Sequence, residues 1–501
     1  MREQALTGFG LLVGLPLLGA LVAGRLRGRA GDAAAVLAAV LTAAVACAMV
    51  ALRGAHGLVV PLGGLAAVDR AAGRPVTLFG FMLDPLSGIV LLGVVLLGVA
   101  CVLFSTSYVG PGNRESPVSA DRRRYFFWLL AFIAAMCGLV TSATLLQLFL
   151  FWELTTVCSW ALIGFYDEEH GALAAAEKAF LMTGAGGLCL LGATLALLAL
   201  TRSVGFDAFT RLPAPLNAGG LALLVLLLVA AWTKSAQVPF HTWLPDAMVA
   251  PSPVSAYLHA ASMVNAGVYL VLRVVTASQP AGVIPGGIGV LVGVMAVLTL
   301  AVSVAQFFYQ GDLKRLLALS TISHLAWILL GTALGIAGSL RAAQGAALHV
   351  LAHGVGKGLL FLSVGTLSYA AGTRRIADLS GVLSRSPLAA AGFLIGALTV
   401  TGVPPFAGFW SKLLIITGSA ALGGWGVALA ALLLAESVLA FAWFLWVGQK
   451  VFLGRPSPAA EAMGPVTPSM GWSLALLIVL CLAVTAAGLP LAQAIGFGVA
   501  R

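Results

Sequence analysis

The chain has 501 residues, of which 60% are hydrophobic and 9% charged, and its mean hydropathy is +1.05. A soluble protein carries roughly 25% charged residues, so a water-soluble domain of this size is excluded. The net charge of +10 does not point to nucleic acid, because the basic residues form no continuous tract; their placement follows the positive-inside pattern of membrane proteins.

Apolar runs of about 20 residues, enough to cross a bilayer, recur from end to end. They predict an all-α polytopic membrane protein with about 14 spans, at 6–24, 32–52, 82–108, 125–141, 143–165, 177–201, 217–241, 253–276, 284–308, 318–338, 344–370, 387–420, 426–450 and 471–497. The first run, Leu6 to Val22, lacks a basic leader and a small-residue cleavage site, so it is read as a retained helix rather than a signal peptide. Alternating the loops across the bilayer gathers fifteen Lys and Arg on one side, from Arg25 to Arg455, and nine on the other, from Arg2 to Arg501. The richer side is expected to be cytoplasmic, which places both termini outside.

The connections at 53–81 and 109–124 are too short for a second folded domain, so the whole of 1–501 is read as one membrane domain. The six cysteines (Cys47, Cys101, Cys137, Cys158, Cys189 and Cys481) fall in apolar segments without a CxxC pair, and they read as small core residues. The chain has neither a P-loop nor a dinucleotide fingerprint preceded by a strand. It is therefore expected to bind no metal or cofactor of its own, and any redox chemistry would belong to partner subunits. The aromatic residues read as mostly lipid-facing or interfacial.

Two spans are interrupted in a similar way. In one, Lys234 lies within an apolar run and Pro239 follows five residues later; in the other, Pro404 and Pro405 precede Lys412. Paired interruptions of this kind mark inverted repeats with a transport path at their interface. Ionisable residues inside spans reinforce that reading, since a charge at mid-membrane costs about 2.5–17 kcal/mol and usually survives on a pathway. The set here is Glu153, Lys234, His259, His349, His353, Lys357, Lys412 and Glu436.

Glu153 is the obvious partner for Lys234: burial favours the neutral amine and a nearby anion favours the ammonium, so a movable carboxylate makes the lysine a proton carrier. His349, His353 and Lys357, spaced i, i+4 and i+8, lie along one helix face and read as a proton relay. The histidine pair has no carboxylate or thiolate at metal-binding spacing. His259 reads as a bridge between the halves, and Glu436 as a pathway or subunit-contact residue. His241, Asp246 and Lys314 sit near span ends and read as solvated or capping groups.

The segment from Lys234-Ser-Ala-Gln-Val-Pro-Phe-His-Thr-Trp-Leu-Pro-Asp through Pro251-Ser-Pro-Val-Ser-Ala-Tyr-Leu-His resembles the signature of the antiporter-like subunits of complex I, multisubunit Na⁺/H⁺ antiporters and membrane-bound hydrogenases. Phe151-Trp-Glu-Leu-Thr, Asp312-Leu-Lys-Arg through Ser323-His, Lys357-Gly-Leu-Leu-Phe-Leu and Gly402-Val-Pro-Pro-Phe extend the likeness over about residues 80–450. The resemblance implies fourteen helices with two inverted five-helix repeats, each containing a broken helix, at about 125–276 and 284–450. These would be flanked by N-terminal helices over 1–108 and a C-terminal helix at 471–497. It also implies that Glu153 and Lys234 form the pumping pair of the first half, that Lys357 is the central relay lysine, and that Lys412 is the exit-side lysine.

Within the family the likeness is strongest to the D component of hydrogenase-4-type complexes, through Ser105-Thr-Ser-Tyr, Asn113-Arg-Glu-Ser-Pro and Glu436-Ser-Val-Leu-Ala-Phe. The chain closes soon after its last span, and Gly187 stands where the distal complex I subunit has an acidic residue. Both departures argue against the distal subunit and leave the hydrogenase or shorter antiporter-like members in play. The expected function is proton translocation in a bacterial or archaeal cytoplasmic membrane, beside other membrane subunits and peripheral redox subunits that carry Fe–S clusters, Ni–Fe or quinone. The alternatives are a subunit of a cation/proton antiporter and an energy-coupling subunit for inorganic carbon uptake.

Overall fold

The computed structural model describes residues 2–53, 57–63, 76–116 and 121–496. Arg70, Arg74 and Arg501 of the charge count lie outside the described residues. Helices α1 (Arg2–Ala23) and α2 (Gly28–Arg53) are followed by an antiparallel pair, β1 (Leu58–Gly63) and β2 (Phe79–Leu83). The fold is otherwise helical, as expected, and this two-stranded pair is its one sheet among the described residues. The apolar run predicted to begin a helix at 82 ends its strand at Leu83, because Asp84 caps the next helix: its carboxylate accepts from the Ser87 amide, and the Ser87 hydroxyl accepts from the Asp84 amide. Helix α3 (Pro85–Tyr108) then starts with proline in its first turn, where no amide hydrogen is missed.

Helices α4 (Arg122–Val140), α5 (Leu145–Ile163), α6 (Ala172–Thr201) and α7 (Ala218–Lys234) follow, and then α8 (Ser252–Ala260), α9 (Met263–Ser278) and α10 (Gly286–Phe307). Helices α11 (Leu313–Ile336), α12 (Leu340–Ala371), α13 (Pro387–Thr401), α14 (Ala407–Ala420), α15 (Gly424–Phe452) and α16 (Pro468–Ala494) complete the bundle. Among the described residues, twelve helices are long and apolar enough to cross a membrane, counting α8 and α9 as one. Two more spans are shorter or divided, α7 and the α13–α14 pair, which together account for the 14 predicted crossings.

Burial sorts these helices into two populations. On α6, Leu181, Leu188 and Leu195 recur every seven residues and are all exposed, a stripe suited to lipid. Helices α11 and α12 are each enclosed over an 18-residue stretch, and α12 packs against α3, α8, α11, α13, α14 and α16. Cys101, Cys137, Cys158 and Cys481 are buried as predicted, whereas Cys47 faces outward and Cys189 is half-buried. The aromatic expectation fails more broadly. Trp152, Trp243, Trp327, Tyr108, Tyr125, Tyr257 and Tyr269 are fully buried, because large rings with a polar handle contribute much apolar area to packing between helices.

Candidate functional site: a buried polar axis

Three helix breaks lie inside the bundle, and two of them touch, since the Ser235 hydroxyl after α7 donates to the Val264 carbonyl of α9 at 2.8 Å. α7 stops at Lys234 and the chain passes through Ala236, in the left-handed region at φ 48°, to Pro239. α13 stops at Thr401 where Gly402 takes φ 90°, a conformation glycine adopts without strain, and Pro404 and Pro405 lie in the turn before α14. The third break, at Ala261–Ser262 between α8 and α9, was not foreseen, since neither residue is a proline or glycine. Side chains heal it instead. Asn265 Nδ2 donates to the Ala260 carbonyl at 2.7 Å, and the Ser262 hydroxyl donates to the Tyr257 carbonyl. Backbone groups freed inside a membrane must find such partners.

The first half presents Glu153 on α5 and Lys234 at the end of α7. Lys234 is fully buried, but no contact ion pair joins it to Glu153. Its ammonium donates to Thr156 Oγ1 at 2.7 Å and to the Trp152 carbonyl at 3.1 Å, and it lies 4.9 Å from the centre of the Trp152 ring. Glu153 Oε1 is buried without a hydrogen-bond partner among the described residues. It abuts Gly187 of α6, where an added Cβ would sit 1.7 Å from that oxygen. The pairing expected from the sequence is therefore an open one, with the carboxylate beside the lysine but not on it.

His259 of α8 comes next, stacked on Phe361 of α12 at 5.4 Å. Both nitrogens of His259 and of His353 are buried without a partner among the described residues, so each ring is free to take or give a proton through a bound water. Lys357 is fully buried, donates to the Leu317 carbonyl at 3.3 Å and lies 5.5 Å from the Phe444 ring centre. His349 Nε2 is 3.1 Å from His324 Nδ1, and its Nδ1 is 2.8 Å from the Ser411 hydroxyl. The His324 ring also lies 5.6 Å from that of His353, so it bridges the two predicted histidines. Sequence reasoning missed His324. The available signal was a single histidine in the apolar run of α11, which on its own is commonly a packing residue.

The second half closes what the first leaves open. Lys412 on α14 donates to Ser437 Oγ at 2.9 Å, forms a contact ion pair with Glu436 at 3.7 Å and lies 4.4 Å from the centre of the Trp327 ring. Glu436 on α15 also accepts from Trp327 Nε1 at 2.8 Å and from the Ser323 hydroxyl at 3.3 Å. At 3.7 Å and an effective dielectric constant near 20, the attraction is about 4 kcal/mol.

Of the three groups read as solvated, Asp246 behaves as expected, pairing with Lys178 at 2.7 Å and Arg315 at 3.5 Å near the surface, and His241 is half-buried. Lys314 does not. It is buried and donates to the Ala250 carbonyl just ahead of α8, beneath Arg374, which binds Glu115 at 2.9 Å and Asp312 at 2.6 Å. The 243–250 segment and the 372–378 turn fold over the start of α11 and enclose a side chain that its sequence position suggested was exposed. Among the described residues, no group of three His, Cys, Asp or Glu is arranged to hold a metal ion.

Known proteins resemble this chain in sequence and fold. The transmembrane family described as NADH:quinone oxidoreductase/Mrp antiporter matches residues 142–440. Chloroplast NAD(P)H-quinone oxidoreductase subunit 5 of Dioscorea elephantipes is 36% identical over 357 residues, which are 68% of this chain and 46% of the relative. The same subunit of Ipomoea purpurea is 34% identical over 409 residues, 77% of this chain and 55% of the relative. The chain thus spans about half the length of these relatives. Among solved structures, a chain of the Mrp complex from Dietzia sp. superposes with a TM-score of 0.80 at 30% identity, covering 98% of this chain and 51% of the other. A chain of the membrane-bound sulfane sulfur reductase, an archaeal respiratory membrane complex, superposes with a TM-score of 0.81 at 22% identity, covering 95% and 75%, a likeness of fold.

Proposed function

Because the chain belongs to the NADH:quinone oxidoreductase/Mrp antiporter transmembrane family, we propose that it translocates protons as a membrane subunit of a complex-I-like redox assembly of the hydrogenase-4 type, in a bacterial or archaeal cytoplasmic membrane. The observation that carries this reading is the row of interior titratable side chains from the half-buried Glu153 to the buried Glu436, spread over seven helices. Lys234, held by a hydroxyl, a carbonyl and a ring face, stabilises its proton only in part. Movement of the Glu153 carboxylate onto it favours the ammonium, and withdrawal releases the proton toward His259. His353, Lys357, His324 and His349 pass it on to Lys412, whose contact with Glu436 sets when it leaves. Redox centres, where the assembly has them, belong to partner subunits, and the excess of basic residues on one side sets both termini outside.

A second reading, a subunit of a cation/proton antiporter driven by ion gradients, is favoured by the likeness to a chain of the Mrp complex over 98% of this protein. Mild-detergent purification of the tagged chain, with mass spectrometry of its companions, separates the two. Iron–sulfur or hydrogenase subunits support the redox-driven pump, and small membrane subunits alone support the antiporter. Proton uptake into inverted vesicles that is unchanged by Lys234→Ala would overturn both.

A further inference from the structure

Glu436 touches more than Lys412. On its other side lies a small, partly open cavity lined by Ser303, Ser320, Ser323 and Glu436 together with apolar side chains that include Phe307 and Phe308. About 10 Å³ of it is open to water centres, roughly the space of one water molecule. Its position follows from the chain order. Phe307 ends α10 and Leu313 begins α11, so Ser303 and Ser320 lie within two turns of the end of the bundle that carries Lys314 and Arg315. On α15 the residues after Glu436 run toward Lys450, and Trp443 and Phe444 meet Phe307 at 6.1 and 5.5 Å. Phe308 packs edge-on against Trp443 at 4.9 Å, and Trp443 stacks on the exposed Trp446 at 4.5 Å. An aromatic cluster therefore stands between a polar cavity at Glu436 and the Lys314 end of the protein.

We propose that Glu436, Ser323, Ser320 and the water their cavity accommodates form a proton access branch from the Lys412 pair to the Lys314 end, closed by the Phe307–Phe308–Trp443 cluster. Hydroxyl groups and one water suit this role, since each accepts one proton while donating another and needs no charge of its own. The branch makes the second half exchange protons with the arginine-rich face as well as along the central axis. The aromatic cluster keeps that exchange from short-circuiting the pump. The inference rests on the proton-translocating reading for its purpose, but not for its geometry.

The test uses thiol accessibility in oriented vesicles holding the full complex, with Cys47→Ala removing the outward-facing native thiol. Ser320→Cys, probed with a membrane-impermeant methanethiosulfonate, is expected to stay unlabelled while the cluster is intact. With Phe307→Ala, or the milder Phe308→Ala at the half-buried helix end, it is expected to be labelled at least tenfold faster, and from the Lys314 face only. The same opened variants are expected to raise passive proton conductance about tenfold. Labelling from the opposite face, or none in either opened variant, overturns the branch; equal labelling with the cluster intact overturns the plug. Labelling does not depend on transport, so the branch can fail while Lys234→Ala still abolishes pumping, and the reverse.

Discussion

The two halves of this protein each carry a lysine and a glutamate into the interior, and they hold them differently. Lys412 and Glu436 are in contact, with Trp327, Ser323 and Ser437 completing the cage. Lys234 and Glu153 are not, and a glycine rather than a hydrogen-bond donor faces the free carboxylate oxygen. A closed pair is a stable store of opposite charge, and an open one can still be rearranged. On the proposed function, this difference would give the moving step to the first half and the holding step to the second.

The largest expected effect is on the closed pair. Glu436→Gln strands a buried ammonium and is expected to lower stability by about 3–5 kcal/mol, whereas Lys412→Met with Glu436→Met restores most of it without restoring transport. Glu153→Gln, which breaks no contact pair, is expected to stay within about 1 kcal/mol; denaturation in detergent compares them, and an equal loss at both sites would erase the distinction. Next comes Lys234→Ala, expected to reduce proton uptake into inverted vesicles about 100-fold or more while the complex still assembles. Gly187→Ala sharpens the comparison, because its methyl displaces the Glu153 carboxylate; transport is expected to fall about tenfold with unfolding unchanged, the signature of a geometric fault. A wild-type rate in that variant would mean the carboxylate has no set position.

The smallest effect lies off the axis, at the ion pair between Asp84 and Arg273 that ties α9 to the start of α3. Burial works against the Asp84 carboxylate, but the Arg273 charge and its hydrogen bonds, one at 2.8 Å, hold it at about 2, below its ordinary 3.8. A depressed carboxyl stabilises the fold above its unfolded value and loses that contribution as pH falls through the folded one. The melting temperature is therefore expected to show this step only between about pH 4 and 2, and Asp84→Asn to abolish it.

Much of the fold was legible because lipid imposes strict rules. Each span needs an apolar run, so counting runs gave 14 crossings, and lysines inside runs marked the axis before any contact was known. Two breaks announced themselves through proline and glycine. The break at Ala261–Ser262 did not, because Asn265 and Ser262 satisfy its backbone by side-chain bonds that leave no pattern in the sequence. The β-hairpin was hidden for a related reason, since an apolar strand leading into an apolar helix reads as one run.

The sequence by itself determined that this chain crosses a membrane many times and which ionisable residues it carries into the interior. Hydropathy and the high cost of buried charge act residue by residue, so a linear reading captures them. Only the tertiary structure decided that Lys412 meets its glutamate and Lys234 does not, that His324 lies between His349 and His353, and that Lys314 is enclosed. Those are distances of a few ångströms between helices far apart in the chain, set by packing at Gly187, Trp152 and Trp327, and no periodicity along the sequence encodes them.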